Sequence, residues 1–289
     1  MCISCTPVDR TERRRIPMAA RGDGARRVAT LNVGNSRLHL GLCSLQHLPP
    51  CRPTRDQLAA RLPDPASLRG WEACPADSPD ASHLASAVAD TVKNLQADRV
   101  VLVSVVPDWS QRLAGVIPEL EIIDHTWSMP FSWGVDQPSQ VGADRLANMA
   151  LARAWGLEEA LVVDAGTATT FDLLADGVFQ GGLIAPGMAF AARKLGEYAA
   201  RLDVVPFAPA PVEIGRDTAS AMAAGAWLTG VHGILGTIDA LQEKYGPSPV
   251  VLTGGLGAYL AGDSRVLDPF WTLRGAAWLS LQRSGDLNL

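Results

Sequence analysis

Cysteine is scarce and confined to the front of the chain. All five, at positions 2, 5, 43, 51 and 74, fall in the first 74 of 289 residues. Cys2 and Cys5 form a lone CxxC, with no second pair and no histidine pair at zinc spacing. That excludes the usual structural zinc set, and the thiols read as free groups in a reducing cytoplasm. The five histidines are scattered and propose no metal cluster. No apolar run approaches the roughly 20 residues of a membrane span, so no membrane partner is expected. Residues 1–27 lack the apolar core of a secretory signal. A broad cationic footprint is missing too: the net charge is −5, which argues against nucleic acid as a partner.

What remains is a hydrophobic content of 47% and a charged content of 19%, ordinary for a soluble α/β protein. The length favours two domains, each with its own core. Residues 1–27 carry seven arginines and three acids without apolar periodicity. They read as a disordered extension; Met18 is an alternative start, and a basic arm for an acidic partner is the other reading.

The chain is organised around Leu161 to Asp172. Leu161–Val163 reads as a buried strand ending on Asp164, Ala165-Gly166-Thr167 as a tight turn, and Thr170–Leu174 as a second strand. The glycine lets the backbone take positive φ and come close to a ligand. Turn amides form an anion nest, threonine hydroxyls add donors, and the carboxylate suits a cation. An ordinary hairpin is the plainer reading. A second copy runs from Val28 to Leu42, in which Asn32 aligns with Asp164 and Gly34 with Gly166. Two related half-domains facing across a cleft would hold a nucleotide triphosphate from both sides.

Between the copies, residues 49–65 form a Pro- and Arg-rich connector. Leu84, Val88, Val92 and Leu95 share a helical face. Arg99–Val106 reads as a buried parallel strand and Leu120–Ile123 as another. Asp144 stands where an N-cap would, before a helix over Arg145–Trp155. A cap explains Asp144 but not Arg145; an Asp–Arg pair at a helix start after a glycine loop can hold an anionic substrate and take a proton from it. Further on, Asp176-Gly177 is a hairpin signal, followed by a strand over Phe179–Ile184 and a helix over Gly187–Ala200. Thr218–Glu243 reads as a long helix or a broken pair, smooth with glycine and alanine, suited to close packing within the chain or across a dimer. Val250–Gly255 is a further strand and glycine turn, and Arg274–Gln282 a closing helix.

These motifs resemble those of the type III pantothenate kinases, within the actin/hexokinase/Hsp70-like superfamily. The resemblance covers Val28 to the C-terminus. It rests on Asn32-Val-Gly-Asn-Ser36, Ser104-Val-Val-Pro107, Gly142-Ala-Asp-Arg-Leu-Ala-Asn148, Asp164-Ala-Gly-Thr-Ala-Thr-Thr170 with Asp172, Gly181-Gly182 to Pro186-Gly187, Gly215-Arg-Asp-Thr218 and Thr253-Gly-Gly255. It implies an α/β fold of two duplicated ribonuclease-H-like (actin-like ATPase) domains with a cleft between them, over residues 28–150 and 151–289. It implies ATP-dependent phosphorylation of pantothenate to 4′-phosphopantothenate, the first step of coenzyme A biosynthesis, in the cytoplasm.

The resemblance also implies residue roles. Asn32, Val33, Gly34, Asn35, Ser36, Arg37, Leu38, His39 and Thr167 would touch ATP. Asp164 would bind a monovalent cation, K+ or NH4+, and Mg2+ would accompany the nucleotide. Gly142, Ala143, Asp144 and Arg145 would hold pantothenate, with Arg145 on its carboxylate and Asp144 as the catalytic proton acceptor. Thr218 would reach pantothenate from the second subunit of a homodimer. Two positions depart from the family pattern: Asn32 where an aspartate is usual, and Val135 where a tyrosine is common. They keep two alternatives open, a catalytically impaired binding or regulatory paralogue and a kinase of another small hydroxyl substrate.

Overall fold

The computed structural model describes residues 26–44, 48, 65–72, 78–198 and 204–287. The readings of residues 1–27 as an extension and 49–65 as a connector therefore lie outside the described residues, except at Arg26, Arg27 and Pro65. The chain divides into two units. Unit 1 takes the described residues through Phe131, with Asp136–Gly156 and Phe270 onward; unit 2 takes Ser132–Val135 and Leu157–Pro269. This differs from a single boundary at 150, because the closing helix returns to the first unit.

Unit 1 has a five-stranded sheet in the order β3-β2-β1-β4-β5, formed by β1 (Val28–Val33), β2 (Arg37–Cys43), β3 (Ala66–Glu72), β4 (Arg99–Ser104) and β5 (Leu120–Ile122). The pairs β1/β2 and β2/β3 are antiparallel, β1/β4 and β4/β5 parallel. Alternation decides its faces. Leu31, Val33, Leu38 and Leu40 pack on α1 (Asp80–Leu95) and α2 (Pro107–Val116) through Val88, Val92, Trp109 and Leu113. On the other face lie α3 (Ala143–Ala154) and α6 (Trp271–Ser284), with Gly41 leaving room for Leu273.

Unit 2 repeats the plan. Its sheet runs β11-β10-β7-β8-β9-β6, from β6 (Ser132–Trp133), β7 (Ala160–Ala165), β8 (Ala168–Ala175), β9 (Val178–Pro186), β10 (Val250–Thr253) and β11 (Arg265–Leu267). Three antiparallel strands β7, β8 and β9 are followed by parallel β10 and β11. Strand for strand this is the order of unit 1, with β6 added at the edge; the duplication expected from the two turns extends to whole sheets. At the β8/β9 hairpin, Asp176 and Gly177 take φ of 52° and 70°, the left-handed pair that an Asp-Gly turn provides. Helices α4 (Met188–Tyr198) and α5 (Thr218–Tyr245) cover one face, with Val231, Ile234 and Ile238 in its core.

Two expectations need correction here. Helix α5 is one unbroken helix of 28 residues, and by length and composition alone it is apolar enough to cross a bilayer, contrary to the reading that no stretch approaches that length. The helix beginning at Arg145 in the sequence reading starts at Ala143, with Gly142 as N-cap, so Asp144 lies in the first turn and does not cap.

Candidate active site

In unit 1 the carboxyl ends of the parallel strands β1 and β4 meet at one place, the usual position for ligands in such sheets. Asn32, Val33, Gly34, Asn35, Ser36, Arg37, Leu38 and His39 form the β1–turn–β2 hairpin there. The Gly34 amide donates to the Arg37 carbonyl at 2.9 Å, and Asn32 lies directly across from His39. Residues 35–37 are exposed, leaving the turn open to an anion. Burial, then the Arg37 guanidinium, hold the His39 imidazole below its ordinary value. It is therefore neutral at pH 7, and Arg37 supplies the positive charge of the turn.

The start of α3 is tied to the same strand ends. The Val105 amide donates to the Val33 carbonyl at 3.1 Å, and a Cβ built at Gly142 would lie 3.4 Å from Val105 Cγ1 and 2.6 Å from Asp144 Oδ1. Only a glycine at 142 leaves the Asp144 carboxylate where it is. Ala143 is buried behind it, and Asp144 and Arg145 are half-buried. The Arg145 amide donates to Asp144 Oδ1 at 2.8 Å. Burial raises the Asp144 carboxyl above the usual carboxylate range, against the opposing pull of the Arg145 amide and charge. A carboxylate so raised accepts a proton more readily than an ordinary one.

In unit 2 Asp164 stands next to last in β7, half-buried in an otherwise buried strand. Thr170 is its cross-strand partner on β8 and Thr253 on β10, so three oxygen-bearing side chains form a row on one face. The hydroxyls of Thr170 and Thr253 are buried and find no hydrogen-bond partner among the described residues. Orphaned buried hydroxyls beside a carboxylate fit a cation or a phosphate oxygen. The positive φ that a glycine permits is not used at these turns: neither Gly34 nor Gly166 takes it. The glycines that matter stand against the turn. Gly254, at φ 82°, would place a Cβ 2.3 Å from Asp164 Oδ1, and Gly187 would place one 2.5 Å from the Thr167 carbonyl. The Gly187 amide donates to that carbonyl at 3.0 Å, which fixes Thr167.

Thr218 opens α5 behind Asp217, whose carboxylate accepts from the Ser220 amide at 2.8 Å in a capping box. It lines a groove of about 840 Å³ between α4 and α5, with Met188, Met222, Gly225, Thr229 and Gly233. Val135 belongs to unit 2, where Gly181 makes room for its side chain. The anticipated residues thus assemble in two groups: Asn32–His39 with Gly142–Arg145 in unit 1, and Asp164, Thr167 and Thr218 in unit 2. The sequence reading quoted Thr170 and Thr253 in its motifs without giving either a role; the signal lay in their strand register with Asp164.

A family model described as type III pantothenate kinase matches residues 30–243. A type III pantothenate kinase of Hyphomonas neptunium is 38% identical over 136 residues, covering 46% of this chain and 53% of the relative. One of Maricaulis maris is 40% identical over 146 residues, covering 49% and 56%. The chain spans little more than half the length of these curated relatives. Among solved structures, a protein described as a Baf family transcriptional activator from Campylobacter jejuni superposes with a TM-score of 0.54 at 17% identity, covering 90% of this chain and all of its own. The ethanolamine utilization protein EutJ from Carboxydothermus hydrogenoformans gives 0.51 at 14%, covering 87% and 89%. At such identities these two likenesses speak for the fold alone.

Proposed function

Because the chain belongs to the type III pantothenate kinase family, we propose that it transfers the γ-phosphoryl group of ATP to the primary hydroxyl of pantothenate. The observation that carries this reading is the Asp144 carboxylate, folded over Gly142 at the strand ends and raised above its ordinary proton affinity. Arg145 would pair with the substrate carboxylate. The new bond joins the hydroxyl oxygen to the γ-phosphorus as the bond to the β-phosphate oxygen breaks, leaving ADP. The hydroxyl proton passes to Asp144 late, once bond formation has acidified it, because an aspartate is too weak a base to remove it beforehand.

The turn from Asn32 to His39 would cradle the phosphates through its amides and Arg37, and Thr167 in the turn of unit 2 would also contact the nucleotide. A monovalent cation, K+ or NH4+, fits the row of Thr170, Asp164 and Thr253 with its unpartnered hydroxyls, and would neutralise phosphate charge. Magnesium would ride on the nucleotide oxygens and water. Toward it the turn offers the neutral carbonyl of Asn32, with no carboxylate from 32 to 39. That gap favours a second reading, an impaired paralogue that binds and turns over slowly. The groove beside Thr218 would take a second copy of the chain, as a homodimer would require, and the buried thiol of Cys43, in no disulfide among the described residues, would suit a reducing cytoplasm. Phosphate transfer measured over a panel of small hydroxyl acids and amides tests the substrate: pantothenate should lead the panel, and a clear preference for another member would replace it.

A further inference from the structure

Helix α6 lies beyond the residues matched by the family model, yet it grips the helix that carries Asp144. The contact centres on one residue. Asn148 is fully buried, one turn after Asp144 on α3, and therefore on the same side of that helix. Its main-chain carbonyl accepts from the Trp271 indole N–H at 2.9 Å, and its side-chain oxygen from the Thr272 hydroxyl at 2.9 Å. Two consecutive residues of α6 thus hold both the backbone and the side chain of one residue of α3.

The surrounding packing makes the joint stiff. A Cβ at Gly275 would fall 2.1 Å from the Ala147 carbonyl, so the two backbones touch without intervening side chains. Trp271 also stacks at a tilt on Trp155 at the far end of α3, with ring centroids 5.1 Å apart. An amide here is not the choice that packing alone would make. A buried polar group is unfavourable unless bonded, and the Asn148 Nδ2 has no partner among the described residues. What the amide provides is direction: it admits one rotation of α3 against α6.

We propose that Asn148, held by Trp271 and Thr272, is a positioning residue that fixes the rotation of α3 and so the aim of the Asp144 carboxylate. Sliding or turning α3 would carry Asp144 away from the strand ends, and a displacement near 1 Å at a reacting group can lower turnover by about a hundredfold. The proposal rests on Asp144 as the proton acceptor.

The test uses the full chain with Thr272→Val, which removes the donor and keeps the shape, and Thr272→Ser, which restores it. The first readout is ligand-free amide exchange by NMR. The Arg145 amide, bonded to Asp144 Oδ1, reports the start of α3; the Trp155 amide, bonded to the Leu151 carbonyl, reports its end. In Thr272→Val the Arg145 amide should exchange about tenfold faster with Trp155 unchanged. The kcat should fall roughly ten- to a hundredfold with the KM for ATP unchanged. Thr272→Ser should recover both. Unchanged Arg145 exchange, equal loosening of both amides, or no recovery in Thr272→Ser would overturn the proposal. Should Thr272→Val not fold, Trp271→Phe is read by the same criteria. Failure of the pantothenate reading would appear separately, in the unsubstituted chain, and leaves the exchange result standing.

Discussion

Gly142 and the carboxylate of Asp144 share one space: a methyl group at 142 would stand 2.6 Å from Asp144 Oδ1. The glycine is required by this neighbour and not by its backbone, whose φ of −61° any residue adopts. Gly142→Ala should therefore fold, swing the carboxylate away and lower kcat by about ten- to a hundredfold. Steady-state kinetics on the variant checks this; normal turnover would mean that Asp144 acts from elsewhere or not at all.

Asp144 also sets a pH dependence. In the proposed mechanism its charged form would accept the proton, and burial raises its carboxyl above the ordinary value of 3.8. Turnover should fall as the pH drops through that raised value, earlier than an ordinary aspartate would give. Stability runs the other way. The folded-state value exceeds the unfolded one, so the folded chain loses stability as pH rises from the unfolded value through the folded one. Asp144→Asn should lower kcat by about 10²- to 10⁴-fold. It should also raise the melting temperature at pH 7, and leave it unchanged well below pH 3.8. Thermal melts at the two pH values decide; a variant that melts lower at pH 7 would contradict the burial argument.

The row of Thr170, Asp164 and Thr253 gives a third expectation. Thr253→Val removes one orphaned hydroxyl without changing volume much. The half-activating potassium concentration should rise roughly tenfold, the scale on which ligand-supporting groups act. A potassium titration identical to that of the unsubstituted chain would remove Thr253 from the cation site.

Gly233 lines the groove between α4 and α5, and a Cβ there meets nothing within 4 Å. Gly233→Glu should therefore be accepted by the chain, aided by better helix propensity of about 0.5–1 kcal/mol, while filling the groove with charge. Sedimentation should show a dimer for the unsubstituted chain and a monomer for the variant. A variant that stays dimeric would place the subunit contact elsewhere.

Legibility differed between strand ends and everything that contacts them from a distance. The Asn32 and Asp164 turns, the Asp176-Gly177 hairpin and the buried strand β4 were readable, because each is a local pattern of apolar residues, glycine and turn chemistry. Strand β3 was not, since Ala66–Glu72 mixes small, polar and charged residues and owes its pairing to β2. Helix α2 was hidden because Pro107 reads as a stop, although it is the first helical residue. The return of α6 to unit 1 leaves no local trace, as its partner Asn148 lies 123 residues away from Trp271. Glycine was legible as a marker of the site and misleading as to cause: Gly34 and Gly166 take ordinary φ, whereas Gly187 and Gly254 yield space to neighbours brought in by the fold and Gly142 to Asp144, two residues on.

This chain, with Asn32 in its first turn, is expected to be itself a competent kinase. The most direct measurement is ATP-dependent formation of phosphopantothenate by the purified protein with magnesium and potassium, followed by mass spectrometry beside its Asn32→Asp variant. The unsubstituted chain should turn over steadily, with at most a moderate gain in the variant. Product from the variant alone would contradict this and favour the binding paralogue; product from neither would turn the search to another hydroxyl substrate, beginning at Val135.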